Sequence, residues 1–338
     1  MFLTHTLRGV TTSTTPVSTT PVSTTPVGGE SKDAEPVPVV IDTDVGDDID
    51  DAFCLMLAFK LHRDGIINIL CVTTSGKGSH DERAGLVLRL QRSILGDAPI
   101  PIYKGAVLGD SKRNYMSCAV DGRFETFESN VSSVVASIRA ASQQVLVLCI
   151  GPLDNVRLLI DTIDDMSAIR LCLMGGSFYT SFDAKPPQIA EYNVRKNKVN
   201  WRYVVENANA LIVPLDVAGD ARFKEWSERL QTLNSDFQEL YNTWYKSILH
   251  RDGPTSRILS GTMPVGERPA VPGHISSVMF DAVALCIALH TDSVVMVRSA
   301  VEVTEEGFTN MVAGDHKVDI ALAWLTPEFF EQWAFRLA

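Results

Sequence analysis

The sequence predicts an α/β fold, a single domain with a mainly parallel central sheet and helices on both faces. Three observations carry that expectation. From Pro36 onward, short β-branched runs alternate with helical patterns. No domain linker interrupts the alternation. The 338 residues, 45% apolar and 21% charged, suffice to bury one large core.

Residues 1–35 stand apart. STTPV occurs three times in tandem from Ser13 to Val27, with no acidic residue before Glu30 and no aromatic after Phe2. Such a stretch cannot pack a core. The expectation is a disordered tail, with organelle targeting or a glycosylated Ser/Thr-rich stalk as alternatives, ahead of one domain over 36–338.

The first strand is expected over 37–41, where PVPVVI supplies a β-branched run, and a helix follows over 50–62 with acids in its first turn and bases in its last. Further strands are expected over 67–73, 100–103, 145–150 (VLVLCI), 169–174 (IRLCLM), 210–214 and 294–303. Helices are expected over 82–95, 131–142, 197–207, 226–250 and 277–289. The segments 281–289 and 318–337 read as packing elements around the sheet.

A net charge of −11 argues against a nucleic-acid partner, because neutralising phosphates takes clustered Lys and Arg. No apolar run approaches the ~20 residues of a membrane span, so the reading is no membrane and a small polar substrate. The six cysteines are scattered without zinc-ligand spacing, most of them in apolar runs, and read as reduced core residues of a cytoplasmic protein.

The first strand runs directly into Asp42-Thr43-Asp44-Val45-Gly46-Asp47-Asp48-Ile49-Asp50-Asp51, six carboxylates in ten residues before an apolar helix. Helix capping needs one or two of them. Six repel one another unless a hard divalent cation with oxygen ligands compensates them. An EF-hand does not fit, since a strand precedes the loop and its twelfth position carries no Glu. A dinucleotide-binding turn does not fit either, because acids replace G-x-G-x-x-G and repel a pyrophosphate. No G-x-S-x-G elbow supports a serine hydrolase.

The segment D-T-D-V-G-D-D-I-D-D-A-F resembles the N-terminal signature of the nucleoside hydrolases, usually D-T-D-P-G-x-D-D, with two extra residues before the final acidic pair. Further similar motifs follow in family order: Val72-Thr73-Thr74, Gly151-Pro152-Leu153-Asp154-Asn155, Met174-Gly175-Gly176, Glu191-Tyr192-Asn193, Pro214-Leu215-Asp216-Val217 and Phe280-Asp281-Ala282-Val283-Ala284. The resemblance implies the Rossmann-like nucleoside hydrolase fold and hydrolysis of the N-glycosidic bond of a ribonucleoside. It also implies a homodimer or homotetramer and a calcium ion (Ca2+) that binds the water nucleophile and the ribose 2- and 3-hydroxyls.

Carried onto this chain, the resemblance implies Asp44, Asp51, the carbonyl of Ile150 and Asp281 as metal ligands. Asp44 is also the implied general base. Asp50, Glu191 and Asn193 are implied to hold ribose hydroxyls, while Asp47 and Asp48 either join the metal ligands or only line the loop. Phe280 stands where many pyrimidine-specific or broad-specificity relatives carry a histidine that protonates the leaving base. Purine-preferring relatives also lack that histidine and use aromatic stacking, so the reading leans to purines. Phe178, Tyr179, Phe182, Trp244 and Tyr245 are candidates for stacking a base or for ordinary packing. Gly76-Lys77 replaces a usual Gly-Asn pair after the second strand. Asp183 is the candidate substitute for a second such pair before Glu191, and His80, His250 and His274 are alternative acids. Two other readings stay open: a catalytically weak metal- and ribose-binding relative, and a hydrolase of another ribosyl compound.

Overall fold

The structure, a computed structural model, describes residues 35–76, 78–105, 115–182, 184–219, 234–249 and 277–337. In chain order its elements are β1 (Val37–Thr43), α1 (Asp50–Arg63), β2 (Ile67–Thr74), α2 (His80–Leu95), β3 (Ile102–Lys104), β4 (Glu125–Thr126), α3 (Phe127–Ala140), β5 (Val145–Cys149), α4 (Asp154–Thr162) and β6 (Ile169–Met174). There follow α5 (Tyr192–Lys196), α6 (Lys198–Asn207), β7 (Ala210–Val213), α7 (Leu215–Ala218), α8 (Ser235–Ile248), α9 (Phe280–Leu289), β8 (Val294–Val303), β9 (Thr309–Val312), β10 (Val318–Trp324) and α10 (Phe329–Leu337). The described residues belong to one compact unit that begins at Glu35.

The apolar run of β1 makes it a central strand, and six of its seven residues are buried. The sheet order is β4-β3-β2-β1-β5-β6-β7-β10-β8-β9. The pairings from β4 through to β10 are parallel, whereas β10 with β8 and β8 with β9 are antiparallel. After β1 the chain builds outward through β2, β3 and β4, then returns to place β5 on the other side of β1. Between β1 and β5 the order reverses, and the crevice beyond their carboxyl ends is where such a sheet takes a ligand.

Two apolar layers cover the two faces. One is built from α1, α2, α8, α9 and α10, the other from α3, α4 and α6. Helix α1 is apolar nearly all round, and Phe53, Leu55, Met56, Leu57 and Phe59 are fully buried. Each such side chain contributes roughly 1.5–3 kcal/mol of burial free energy. Helix α9 is buried in the same way from Phe280 to Ala288. Both helices therefore begin in the interior, each with acid in its first turn (Asp50 and Asp51 in α1, Asp281 in α9).

The fold agrees with the expected class, and several local features differ. The segment 318–337, expected to pack around the sheet, instead places β10 inside it, because the buried alternate residues Val318 and Ile320 face the α6 layer while the backbone pairs with both β7 and β8. Strand β9 closes a hairpin with β8 that the polar run before it concealed. Helix α4, whose buried side is only Asn155, Val156, Leu159 and Ile160, was not expected, and the expected helix over 226–250 is described only from Asn234 onward. The cysteines are free, and all but Cys118 are buried. Among the described residues no helix is long and apolar enough to cross a membrane.

Candidate active site

The site grows from the end of β1. Asp42, in register with Thr73 of β2 and Cys149 of β5, accepts hydrogen bonds from the Thr73 hydroxyl at 2.6 Å and the Asn155 side-chain amide at 2.7 Å. The Ser75 hydroxyl adds a longer one at 3.4 Å. Burial raises the Asp42 carboxyl to about 7 even against these donors. Asp42 thereby ties β1 to β2 and to the start of α4.

Two residues on, Asp44 lies where the backbone can approach from both sides. A Cβ on Gly76 would fall 2.8 Å from the Asp44 Cβ, and one on Gly151 would fall 3.0 Å from the Asp44 amide nitrogen. Gly76 also has φ +95°, a conformation that favours glycine. Burial raises the Asp44 carboxyl to about 7; Arg83 opposes the rise, and the charges of Asp47, Asp42 and Glu191 add to it.

Asp50, Asp51 and Asp281, all buried, each offer a carboxylate oxygen within 4.8 Å of the others. Thr43 donates its hydroxyl to Asp51. Burial first, and then the neighbouring carboxylates, hold all three well above the usual carboxylate range. Asp44 is among the charges each of them feels. Four mutually repelling buried acids, three of them in the first turns of two helices, suit a divalent cation, since it neutralises charge that the helix ends alone do not. The donor set is all oxygen, the chemistry of a hard ion.

Asn193 donates its side-chain amide to the carbonyls of Ile150 and Met174, both at 3.3 Å. Glu191 caps α5, accepting from the amides of Asn193 at 3.0 Å, Val194 at 3.1 Å and Gly176 at 3.3 Å. Burial still raises its carboxyl. Asp216 accepts from the amides of Phe178 at 2.9 Å and Tyr179 at 2.8 Å, so the P-L-D-V turn fixes the loop after β6.

The sequence profile described as "Inosine-uridine preferring nucleoside hydrolase" matches residues 39–331. The chain belongs to the nucleoside hydrolase family. Solved structures of nucleoside hydrolases share its fold. A purine-preferring ribonucleoside hydrolase from Gardnerella vaginalis superposes with a TM-score of 0.67 at 15% identity, over 89% of this chain and 98% of the other. The plant nucleoside hydrolase PpNRh1 gives 0.66 at 16% identity over 89% and 97%. An inosine-uridine preferring enzyme from Bacillus anthracis gives 0.61 at 15% over 89% and 98%. No curated protein matches the chain significantly in sequence.

Within this nucleoside hydrolase, the structure brings Asp50, Asp51 and Asp281 together, with Asp44 beside them and Asn193 joined to the Ile150 carbonyl. Asp50, read from the sequence as a ribose contact, lies inside the carboxylate group. Asp47 accepts from Arg83 at 3.0 Å, and the Asp48 carboxylate accepts from the Ile49 amide at 2.8 Å. Phe280 packs edge-on against Phe182, ring centroids 6.1 Å apart. Trp244, Tyr245 and Phe178 are buried core residues, whereas Tyr179 is 60% exposed. His80 is buried at the start of α2. Asp183, Lys77, His250 and His274 lie outside the described residues.

Sequence reasoning missed Arg83 and Tyr115. Tyr115 donates to the Asp48 carbonyl at 2.6 Å and accepts from the Gly46 amide at 3.1 Å. Arg83 was detectable, because it falls in helical register with the buried Leu86, Val87 and Leu90. Tyr115 had no such signal.

Proposed function

We propose that the chain hydrolyses the N-glycosidic bond of ribonucleosides, with a lean toward purines, to free base and ribose. The observation that carries the reading is the buried group Asp50, Asp51 and Asp281 with Asp44 beside it, in a family member, at the crevice beyond β1 and β5. Asp44, Asp51, Asp281 and the Ile150 carbonyl would hold the cation, for which calcium fits an all-oxygen, carboxylate-rich set. When bound, the cation supplies Lewis acidity that lowers the pKa of water and neutralises the carboxylates.

Asp44, buried just beyond the end of β1, takes the proton from the attacking water as general base. Asp50 accepts a ribose hydroxyl from within the carboxylate group, and Asn193 and Glu191 hold the others. The carboxylates stabilise positive charge on the ribose as the base departs, by analogy with inverting glycoside hydrolysis. The carboxylates on α1 and α9 are buried, and the low local dielectric strengthens these interactions.

Phe280 before Asp281, packed against Phe182, supports the purine lean, because no imidazole stands at that position to protonate a pyrimidine. The same feature favours a second reading, hydrolysis of another ribosyl compound. The test is base release from inosine, guanosine, adenosine, cytidine and uridine, with and without a calcium chelator, for wild type and Asp44→Ala. Release that the chelator suppresses and the variant lacks supports the proposal. No release from any nucleoside, alongside calcium-dependent ribose binding, overturns it in favour of a non-catalytic or different-substrate protein.

A further inference from the structure

The loop between β1 and α1 carries two more residues than the signature it resembles, and it contains Asp47 and Asp48. Something must hold a longer, more acidic loop in one place. Arg83 projects from α2 with its side chain fully buried. It donates to the main-chain carbonyl of Asp44, to that of Val45 at 2.7 Å and to the Asp47 carboxylate at 3.0 Å. A Cβ on Gly76 would fall 3.7 Å from its guanidinium carbon and 2.8 Å from the Asp44 Cβ, so Arg83, Gly76 and Asp44 pack as one unit.

A planar guanidinium offers its donors in a fixed fork, so three acceptors on one loop define that loop's path. Lysine keeps the charge but not the fork. A buried guanidinium is costly unless it is paired and hydrogen-bonded, so side chain and loop hold each other in one arrangement.

We propose that Arg83 is a positioning residue: by gripping the main chain of Asp44 and Val45 and the carboxylate of Asp47, it sets where the Asp44 carboxylate stands relative to Asp50, Asp51 and Asp281. This rests on the function proposed above. Its effect passes through Asp44, whose main-chain carbonyl it holds.

Two measurements on the full chain test it. The first is steady-state base release by Arg83→Lys. A displacement of about 1 Å costs on the order of 100-fold in rate. The expected result is a kcat lowered by roughly tenfold or more with KM within about threefold, because the ribose contacts are left in place. The second uses terbium ion as a probe of the cation site, with luminescence lifetimes in H2O and D2O to count the waters on the ion. Arg83→Lys is expected to raise that count by about one, as Asp44→Ala does, because water replaces the displaced oxygen ligand.

Thermal midpoints with chelator accompany both, so that a fall in kcat tracking only the folded fraction is recognised. Wild-type kcat and an unchanged water count in Arg83→Lys overturn the assignment, as does a kcat loss explained by unfolding alone. Should Arg83→Lys not fold, Asp47→Ala removes one acceptor of the fork and is held to the same two readouts with smaller changes; no change in either overturns the assignment. Failure of the wild type both to release base and to bind terbium overturns the functional reading itself, and this role with it.

Discussion

Thr73 of β2 donates its hydroxyl to Asp42 of β1 at 2.6 Å, across the register pair that joins the two strands at their carboxyl ends. The bond is buried and shares its acceptor oxygen with Asn155. Thr73→Val keeps the shape and deletes the donor. The expected cost is about 1–3 kcal/mol of stability, read by denaturant unfolding, together with a lowered kcat as the Asp42 anchor loosens. An unfolding midpoint and kcat both equal to wild type would contradict the anchoring role.

Gly151→Ala places a methyl 2.7 Å from the Ser75 hydroxyl and 3.0 Å from the Asp44 amide nitrogen. The Ser75 hydroxyl must shift, and Asp44 must give by a few tenths of an ångström. Because the second neighbour is Asp44 itself, kcat is expected to fall by roughly 10- to 100-fold with far less effect on the thermal midpoint. Equal losses in stability and rate would place the strain elsewhere.

Burial raises both Asp42 and Asp44 to about 7. A carboxyl with a folded-state pKa above its unfolded value binds more protons when folded. The stability it contributes is therefore greatest at acid pH and is lost as pH rises toward about 7. With chelator present, the thermal midpoint is expected to decline from about pH 5 to about pH 7.5, and saturating calcium should flatten the decline. A chelated protein whose midpoint rises over that range would refute the assignment of these carboxyls.

Phe280→His puts an imidazole next to Asp281 and removes the edge-on contact with Phe182. An acid at that place helps a poor leaving base more than a good one. The ratio of kcat/KM for uridine to that for inosine is expected to rise. A ratio that stays put or falls would mean that position 280 does not face the leaving base.

The fold was legible because its signal is local: β1 and β5 are apolar runs, β6 is apolar but for Arg170, and α1 opens with paired acids. Asp50, Asp51 and Asp281 could be named from motifs, yet nothing in the spacing said that Asp50 joins the other two. That follows from how the ends of α1 and α9 converge. Tyr115 and the Asp42 anchor were not legible, because hydrogen bonds between residues 67 and 31 positions apart leave no trace in periodicity. Strand β10 was missed for a similar reason, since its slot between β7 and β8 is set by partners and not by its own pattern.

The position of β10 also orders assembly. Residues 210–213 and 294–303 pair with 318–324 and not with each other, so the open flank of β7 waits for a strand made more than a hundred residues later. During synthesis the nascent sheet presents an unpaired parallel edge for that whole interval, a template for pairing with other chains. Ribosome-bound chains halted before residue 318 should therefore require chaperone protection, and shielding should lapse once that last strand is available to seal the edge.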